Sequence, residues 1–511
     1  MKKKILFISF IIIFFLLTVF IVNNFLIGNT KGYAQNIKYL VPNSVRKILR
    51  ETVFAYKYLN IENAKLKNII KNNFINQTIK VNKKLPLIDT KKIKSESGQN
   101  TFVLSRYKLP YPSQVDWGGK PVSYLAKFNN FVFLISGSGE ITYVNQNELS
   151  KKIFTLKKNI SKKKEKVAYI SGYGKEVFQK NKILNINNIK FSSIESNFSS
   201  FIDTDAYINK GIAGPRDIEI IDNEIYISFV DIKSCEKVSI IKAKINFEYL
   251  NFENFFSWKD CSKKSFSDQR SGGRIKNYDK NNIIFTIGDY SKLYYPAESQ
   301  NPNSLFGKII KINKETKKYN ILSIGHRNPQ GLYFDQKKNF LFSTDHGPDG
   351  GDEVNVQNLK FNKVENFGWP ISSYGTHYSS TIKNAKNNNM MSMLNKGAPL
   401  HKSHKKFNFT EPLKHFSPKS IGISEIIKIP ESFGSQFKND FFVSAMGNVI
   451  LEGDQTLHHL RFDESNKKII FEDKVVINER IRDIIYNKEQ NLFLMTLETE
   501  PSLGVLKIIS D

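Results

Sequence analysis

Three short segments of the chain combine glycine with side chains that carry charge or transfer protons. Residues 325–331 read Gly-His-Arg-Asn-Pro-Gln-Gly, and residues 345–353 read Asp-His-Gly-Pro-Asp-Gly-Gly-Asp-Glu. Residues 270–274 read Arg-Ser-Gly-Gly-Arg, and the strand that follows them ends at Gly288-Asp289. Glycine allows a backbone to approach a ligand closely, and Arg, His and Asp nearby can manage charge and protons. We therefore expect the functional site in these loops.

Arginine is rare in this chain, so the positions that keep it are informative. The 76 Lys and Arg residues include only ten arginines. One of them, Arg327, lies in the Gly-His-Arg segment, and Arg480 and Arg482 form a pair near the C-terminus. A guanidinium grips a carboxylate through two parallel hydrogen bonds, which an ammonium cannot reproduce. The pattern favours an anionic ligand over a set of unrelated salt bridges.

A repeated pair of strands must position these loops. Beyond residue 100 an apolar strand, a polar turn and a second alternating strand recur. The second strands are expected to begin near Phe131, Ile225, Ile283, Phe340, Phe441 and Leu492. Adjacent spacings of 58, 57 and 51 residues fit one four-stranded sheet per repeat. Six copies predict an all-β, six-bladed β-propeller over residues 101–511, whereas a sandwich or barrel would not explain so long a repeat. Propellers bind ligands on one face, near the central channel.

In their order and spacing the segments resemble the glucose/sorbosone dehydrogenase family, the soluble-type pyrroloquinoline-quinone (PQQ) aldose sugar dehydrogenases. The resemblance lies in Gly-His-Arg-Asn-Pro-Gln-Gly, His-Gly-Pro with Gly-Gly-Asp-Glu, and then Gly-Trp-Pro and Ser-Tyr-Gly within residues 368–375. It is strong over residues 270–375 and weak before residue 210. It implies a six-bladed propeller that oxidises a small sugar by hydride transfer to PQQ and passes electrons to a respiratory acceptor.

The resemblance also implies which residues bind the cofactor. Arg327 and Asn328 correspond to the Arg and Asn that face the quinone oxygens. Arg480 and Arg482 correspond to a cofactor-contacting Arg-x-Arg-Asp segment, and Asp352 corresponds to an acid close to the cofactor. PQQ carries three carboxylates and an orthoquinone, so its pocket needs fixed positive groups.

The metal and the catalytic groups are implied in the same way. Gly347 and Pro348 correspond to the backbone carbonyls that hold an active-site calcium ion, and calcium does prefer oxygen ligands. Asp289 corresponds to the Asp that supports the catalytic base, and His346 lies where many members also have His. His326, in the same motif as Arg327, reads as a packed loop residue.

The sequence departs from the family at the catalytic base. The family's His stands four residues before the Arg of the Gly-Arg turn, and here that position is Arg270, four residues before Arg274. Arginine cannot act as a general base at ordinary pH, because its pKa lies far above neutrality and the guanidinium stays protonated. Either Asp289 or His346 takes the proton, or the substrate demands less of a base, or the propeller binds a glycan or protein without turnover. A cofactor-contacting lysine of some members is also missing, with Gly447 near its place.

The N-terminal region predicts a membrane anchor and a stalk. Residues 1–27 contain three lysines and an apolar run over residues 5–27 that covers ~27–35 Å, about one hydrocarbon core. The lysines place the N-terminus in the cytoplasm and the propeller in the periplasm, outside an inner membrane crossed once. Cleavage after Ala34 is the alternative. Residues 28–100 predict a helical stalk followed by a Lys- and Ser-rich linker.

Composition narrows the remaining function classes. The net charge of +28 comes mostly from scattered lysines, and no nucleic-acid-binding module is evident, so a solvated surface is favoured and no nucleic-acid partner is expected. Two cysteines, Cys235 and Cys261, exclude a disulfide scaffold and a Cys-based zinc site. They could form one disulfide or stay free.

Overall fold

The computed structural model describes residues 84–110, 122–150, 189–202, 214–232, 237–258, 270–290, 296–447, 454–465 and 467–509. All of them belong to one compact unit, Asn82–Asp511. The predicted anchor, the stalk up to residue 83, the cleavage site after Ala34 and both cysteines lie outside these residues. Within the described residues, no helix combines the length and the apolar composition needed to cross a bilayer.

Six β-sheets form within the described residues, and we number them as blades in chain order. Blade 1 consists, innermost strand first, of β4 (Ser123–Phe128), β5 (Phe131–Ser136), β6 (Ile141–Asn145) and β7 (Ile189–Ser196). Blade 2 consists of β8 (Gly214–Ile221), β9 (Glu224–Asp231), β10 (Lys237–Lys244) and β12 (Glu253–Phe256). Blade 3 consists of β13 (Gly272–Asn277), β14 (Asn282–Ile287), β15 (Lys308–Asn313), β16 (Tyr319–Ile324) and β20 (Glu365–Asn366). Two short strands extend blade 1 beside β7, namely β1 (Lys84–Leu85) and β11 (Tyr249–Leu250).

The other three blades follow the same plan. Their strands, innermost first, are β17 (Pro329–Asp335), β18 (Phe340–Asp345), β19 (Glu353–Asn358) and β21 (Lys414–His415); β22 (Ile423–Lys428), β23 (Asp440–Ala445), β24 (Thr456–Asp463) and β25 (Lys468–Val476); and β26 (Ile481–Asn487), β27 (Leu492–Leu497), β28 (Ser502–Ile509), β3 (Thr101–Lys108) and β2 (Leu87–Lys94). The described α-helices are α1 (Gln146–Ser150), α2 (Ser379–Asn387) and α3 (Met391–Gly397).

The innermost strands close into a ring. β4, β8, β13, β17, β22 and β26 contact one another in that order, and β26 returns to β4. This confirms the six-bladed propeller. The repeat is confirmed as well, because the second strands begin at or one residue before the six predicted positions.

The linker predicted at residues 80–100 contains two strands, β1 and β2. Residues 87–94 form β2, the outer edge of blade 6, and β2 pairs with β3, which pairs with the C-terminal strand β28. The start of the described chain therefore closes the ring against its end. The lysines of β2 lie on an exposed edge, where charge protects unpaired backbone groups from other chains. A strand of this kind has no apolar run, which is why its sequence resembles a linker.

Apolar side chains between neighbouring blades hold the ring together. Between blades 4 and 5 the ring of Phe342 lies 4.6 Å from that of Phe441 and 5.2 Å from that of Phe462. Between blades 2 and 3, Tyr226 and Phe285 belong to one buried cluster. Packing of aromatic rings across each blade interface fixes the relative position of the loops at the ends of the blades.

The glycine-rich loops come together at one end of the ring. Within an antiparallel blade, the start of the innermost strand and the loop between the second and third strands lie at the same end. Backbone hydrogen bonds join these loops across the interface of blades 3 and 4, where the N–H of Asp289 donates to the carbonyl of Arg327 at 2.8 Å. On blade 4, the N–H of His346 donates to the carbonyl of Asn328 at 3.0 Å.

Candidate active site

The glycine-rich loops at residues 270–274, 325–331 and 345–353 form one loop cluster, and Arg327 lies at its centre. Its Nη1 donates to the carbonyl oxygens of His346 at 2.5 Å and of Gly347 at 2.6 Å. Its guanidinium carbon lies 5.4 Å from the centre of the Trp369 ring and 5.7 Å from that of Tyr378. The Nε atom is buried and has no hydrogen-bond partner among the described residues. A buried donor left unpaired costs free energy, so this N–H is positioned to bind a ligand atom.

Arg270 faces the same space from blade 3. Its Nη1 lies 3.8 Å from Oδ2 of Asp289, and the indole N–H of Trp369 donates to the same oxygen at 2.8 Å. Burial, and then the charge of Arg327, lower the pKa of Arg270 to about 10. The guanidinium therefore stays charged at neutral pH, and the departure from the family leaves a cation in place of a base.

Glycine at position 288 makes this placement of Arg270 possible. A Cβ atom at Gly288 would lie 1.8 Å from the carbonyl oxygen of Arg270. No side chain fits there, so β14 can end directly against the backbone that precedes β13. The same carbonyl accepts a hydrogen bond from the N–H of Tyr290 at 3.2 Å.

His346 is more exposed than Arg270 and Asp289. Its side chain is 24% exposed, compared with 19% for Arg270 and 0% for Asp289. Burial lowers the pKa of His346 from its ordinary value, and the charges of Arg327 and Arg270 add to this effect against the opposing charge of Asp352. Its Nδ1 lies 3.7 Å from Oδ1 of Asp352 and finds no hydrogen-bond partner in the part of the chain that the structure describes. The ring is therefore neutral at pH 7 and able to accept a proton.

Asp352, which the resemblance places close to the cofactor, accepts hydrogen bonds from backbone N–H groups in the structure. Its Oδ1 accepts the N–H of Gly347 at 3.0 Å. Its Oδ2 accepts the N–H groups of Ile421 at 3.0 Å, Gly422 at 2.8 Å and Ile423 at 3.2 Å. The carboxylate is fully buried and its lone pairs are used. It fixes the loop that carries Gly347 against the start of β22.

Asp345 plays a similar part for the Gly-His-Arg-Asn segment, a role that the sequence did not reveal. It accepts the N–H groups of Arg327 at 3.0 Å and Asn328 at 2.7 Å, and it lies 3.1 Å from Nδ1 of His326. His326 is fully buried, as expected of a packed loop residue. Asn328 is also buried, and its Oδ1 accepts the N–H of Gly272 at 3.1 Å.

The predicted cofactor arginines Arg480 and Arg482 share one buried carboxylate. Nε of Arg480 lies 3.2 Å from Oε2 of Glu498, and Nε of Arg482 lies 2.5 Å from Oε1. Burial alone would raise the pKa of Glu498, but Arg482 and Arg480 hold it below its ordinary value. Arg480 also donates to the carbonyls of Met446 and Gly447. Within the described residues, the pair carries two positive charges against one shared carboxylate, and Glu498 was not singled out from the sequence.

The carbonyls assigned to calcium already accept hydrogen bonds. Besides Arg327, Gly347 O accepts the hydroxyl of Tyr378 at 3.3 Å. Pro348 O accepts the N–H of Gly351 at 2.8 Å and the hydroxyl of Ser420 at 3.2 Å. Among the described residues, no cluster of three or more His, Cys, Asp or Glu side chains could supply further ligands. A cation of the chain itself, Arg327, lies against the Gly347 oxygen, so the arrangement does not fit the calcium role implied by the resemblance.

Arg274 lies deeper, among the innermost strands, and has a structural role. Its Nη1 lies 2.9 Å from Asp217 and 3.0 Å from Asp483, and its Nε lies 3.0 Å from Glu425. These acids belong to blades 2, 6 and 5, respectively. Arg274 therefore ties four blades together through the middle of the ring.

Comparison with known proteins identifies the family. The sequence model of the glucose/sorbosone dehydrogenase family matches residues 209–504, more than half of the chain. The chain belongs to the glucose/sorbosone dehydrogenase family. Trp369 and Tyr378, which the structure adds to the site, lie within the matched region, and the Gly-Trp-Pro motif was the signal for the first of them.

Individual relatives match only parts of this family member. An uncharacterised protein of Synechocystis is 26% identical over 250 residues, which cover 45% of this chain and 53% of the relative. Quinoprotein glucose dehydrogenase B of Acinetobacter calcoaceticus is 27% identical over 191 residues, 29% of this chain and 38% of that protein. The chain thus spans about half or less of the length of these curated relatives.

The structural similarity covers a larger share of this family member than the sequence similarity to individual relatives. The crystal structure of the soluble aldose sugar dehydrogenase from Escherichia coli, in its apo-form, superposes with a TM-score of 0.51 at 17% identity. The match covers 83% of this chain and 99% of the other. It shows the same propeller architecture.

Proposed function

We propose that the protein is a quinoprotein sugar dehydrogenase that oxidises a small sugar with PQQ bound at the Arg327 loop cluster. The observation that carries this proposal is the buried Nε of Arg327, which no described residue hydrogen-bonds, in a guanidinium beside the rings of Trp369 and Tyr378. A planar anionic ligand would satisfy that donor and lie against aromatic surface. Family membership supports the sugar dehydrogenase class.

The residues present fit PQQ through charge and shape. Arg327 supplies a buried N–H that no described residue hydrogen-bonds, and within the described residues the Arg480–Arg482 pair carries two positive charges against one shared carboxylate. These cations suit the three carboxylates and two quinone oxygens of PQQ. When bound, PQQ would supply a quinone that accepts the hydride from the sugar.

The chain's own residues handle the proton and the orientation. His346 has a neutral ring and is more exposed than Asp289, the other candidate base, so it is the group that accepts the proton of the sugar hydroxyl. Asp289 has a fully buried side chain and contacts Arg270 and Trp369, so it positions these two groups rather than touching substrate. Of the two candidate bases in the sequence, the geometry favours His346.

Calcium has no part in this proposal. Calcium takes six to eight oxygen ligands at about 2.3–2.6 Å, whereas Arg327 already donates to the carbonyl of Gly347. A divalent ion there would face a guanidinium at contact distance. The residues present do not fit the ion, and we derive no step through it.

The cellular setting remains part of the proposal. The apolar run over residues 5–27 would anchor the chain in the inner membrane, with its N-terminus in the cytoplasm. The propeller would then face the periplasm and pass electrons to a respiratory acceptor. An N-terminal sequence that begins at Gln35 in protein recovered without detergent would contradict the anchor.

The decisive experiment loads the full chain, purified in detergent, with PQQ. We expect the absorbance of the quinone to remain after desalting, and an aldose panel to reduce an artificial dye. Arg327→Gln should weaken PQQ retention roughly 10- to 150-fold, because a charge-assisted contact in a buried site contributes ~1.5–3 kcal/mol. Arg461→Gln is the matched control, because Arg461 pairs with Asp440 at the opposite end of blade 5. Loss of all PQQ from the parent protein on desalting would overturn the proposal.

A second function is favoured by one observation. Arg270 occupies the position of the family's base, which is compatible with a propeller that binds a glycan or protein partner without turnover. In that case PQQ would not be retained, or would be retained with no sugar reducing the dye.

A further inference from the structure

We propose that residues 367–410 form the docking surface for an acidic protein that accepts electrons one at a time. We call these residues the basic insert, because they connect β20 to β21 and contain six lysines and no acidic residue. The inference rests on the proposed function, and it names the surface and the kind of partner that would take electrons from that site.

The basic insert differs from the rest of the chain in its charge. All 48 Asp and Glu residues lie outside it. Its lysines are all exposed, namely Lys383, Lys386, Lys396, Lys402, Lys405 and Lys406. Within the described residues, the lysine ion pairs that lie nearest in sequence involve Lys363 before the insert and Lys414 after it. The insert therefore presents a positive surface, which is complementary to a partner of negative charge.

The two helices of the basic insert present lysines beside an apolar side chain. α2 buries only Ala385 and α3 buries only Leu394, so the other faces of both helices are exposed or half-buried. Met393 on α3 is 54% exposed, and Lys396 lies three positions further along, on the same face of the helix. Exposed methionine next to charged side chains is typical of a docking surface, in which an apolar centre has a polar rim.

The basic insert lies at the end of the ring that carries the loop cluster. The N–H of Thr376 donates to the carbonyl of Asp349 at 2.7 Å, and the N–H of Asp349 donates to the carbonyl of Thr376 at 3.0 Å. The hydroxyl of Tyr378, which directly precedes α2, donates to the carbonyl of Gly347 at 3.3 Å. Asp349 and Gly347 belong to the loop cluster, so the insert is attached to the site where α2 begins.

The end of α3 is connected to the site as well. The Trp369 ring lies 5.4 Å from the guanidinium carbon of Arg327. It belongs to one apolar cluster with Ala398 and Leu400, which follow α3. Nε2 of His377 donates to the carbonyl of Ala398 at 2.8 Å, which ties the start of α2 to the end of α3. Packed side chains therefore join the site to the helices that carry the lysines.

The electron balance determines what the partner must do. When one aldose becomes its lactone, the C1–H bond and the O–H bond break, a C=O bond forms, and two electrons and two protons leave the sugar. A one-electron acceptor must therefore dock twice for each sugar, while both protons go to water. Repeated docking needs fast association and fast release. Surface charge provides both, because it attracts the partner over a distance and contributes little to holding it at physiological salt.

The experiment uses two forms of one redox probe. Cytochrome c is a basic one-electron acceptor, and partial succinylation of its lysines makes it acidic with the same haem. The full chain in neutral detergent is titrated with each form by calorimetry, without sugar, at low and at physiological ionic strength. We expect the succinylated form to bind about 10-fold or more tightly than the unmodified form, and the difference should shrink as salt is raised.

Matched variants assign the binding to the basic insert. The insert variant combines Lys383→Gln, Lys386→Gln and Lys396→Gln on α2 and α3. The control variant combines Lys280→Gln, Lys318→Gln and Lys488→Gln, three exposed lysines in turns at the opposite end of the ring. Both variants lose three charges. The insert variant should bind succinylated cytochrome c about 10-fold more weakly than the parent, and the control variant within about threefold of it.

Electron transfer is the second measurement. With PQQ bound and aldose present, the insert variant should reduce subsaturating succinylated cytochrome c about 10-fold more slowly than the control variant. Both variants should reduce a small uncharged dye at the rate of the parent, because a neutral dye gains nothing from the lysines. Melting curves identify a variant that has failed to fold, and the comparison of the two cytochrome forms in the parent stands without variants.

Three results would overturn the inference. The first is equal binding of both cytochrome forms by the parent, and the second is a preference for the succinylated form that the insert variant retains. The third is binding of the parent, but not of the insert variant, to vesicles of phosphatidylserine and phosphatidylcholine with no preference between the cytochromes, which would make the partner a membrane. A parent that reduces the dye without the preference contradicts only this inference, whereas a parent that shows it but loses PQQ contradicts only the proposed function.

Discussion

The guanidinium of Arg327 and the carbonyl oxygen of Gly347 lie 2.6 Å apart, and this contact places a positive charge of the chain where the family resemblance expects a metal ion. A guanidinium carries its charge at any working pH. It satisfies the carbonyls of His346 and Gly347 together. These two carbonyls are thus paired without an ion.

Metal removal tests this contact directly. Dialysis of the PQQ-loaded protein against EDTA should leave PQQ retention and dye reduction within about twofold of the untreated protein, because a carbonyl paired with guanidinium has no need of an added cation. Absorbance of the retained quinone and the rate of dye reduction are the measurements. Loss of both with EDTA, and their recovery with added calcium but not magnesium, would show that Arg327 moves aside for calcium.

Asp352 should be required for the integrity of the site although it touches no ligand. In Asp352→Asn an amide NH₂ replaces one oxygen, and it would face N–H groups that need an acceptor. We expect the free energy of unfolding, measured in urea, to be ~2–4 kcal/mol lower than that of the parent, since each hydrogen bond to a charged acceptor contributes ~1.5–3 kcal/mol. PQQ retention should fall with it. Glu253→Gln on the exposed edge of blade 2 is the control and should change stability by less than ~1 kcal/mol. A stable variant that loses only PQQ would restore Asp352 to the cofactor site.

Arg274→Met should destabilise the whole ring rather than the site alone. The variant leaves Asp217, Glu425 and Asp483 buried without their shared cation. Removing one partner from a buried ionic cluster costs ~3–5 kcal/mol, which urea denaturation would measure as a lower midpoint. An unchanged midpoint would mean that the carboxylates take up protons at no cost, and would contradict the structural role given to Arg274.

The stability contributed by Asp217 should decrease as pH rises towards neutrality. Burial raises the pKa of Asp217 to about 7, against the opposing charge of Arg274. A carboxyl with a raised folded-state pKa binds more protons folded than unfolded, so its contribution is present below about pH 4 and is lost as pH rises to 7. The free energy of unfolding of the parent minus that of Asp217→Asn should therefore fall between pH 4 and 7.5. A difference that rises over this range would show that Arg274 keeps Asp217 ionised.

The fold could be read from the sequence because each blade repeats a local pattern of apolar strand, turn and alternating strand. Phe131, Phe340 and Leu492 were placed as strand starts on that pattern alone, and the strands begin there. The exception was β2, whose edge position removes the apolar signal. An edge strand differs from an inner strand because it has no neighbouring strand on one side, and amino-acid composition does not record this difference.

The site was only partly readable for a different reason. The sequence pointed to the correct loops, but the partners of each residue come from other blades. Asp352 binds N–H groups 69 to 71 positions away. Glu498 pairs with Arg480 and Arg482, which the sequence pattern assigned to a ligand. The way the blades pack decides which carboxylate accepts a given backbone N–H and which carboxylate two arginines share. A motif alone therefore cannot reveal these partners.

The last prediction concerns the proton acceptor. Burial, then Arg327 and Arg270, keep the pKa of His346 below its ordinary value. A base must be unprotonated to act, so dye reduction should be independent of pH above about 6.5 and fall only in more acidic buffers. In Arg270→Gln one of the positive charges is gone, so the pKa of His346 should rise and the acid limb should move to higher pH. His346→Gln should lower the rate of dye reduction by about 10²–10⁴-fold while PQQ stays bound, because the ring supplies no cation to the cofactor. The pH profile of the rate, measured at saturating sugar on parent and variants, separates this role from a structural one. Full activity in His346→Gln, or an acid limb that does not move in Arg270→Gln, would transfer the role of base to Asp289.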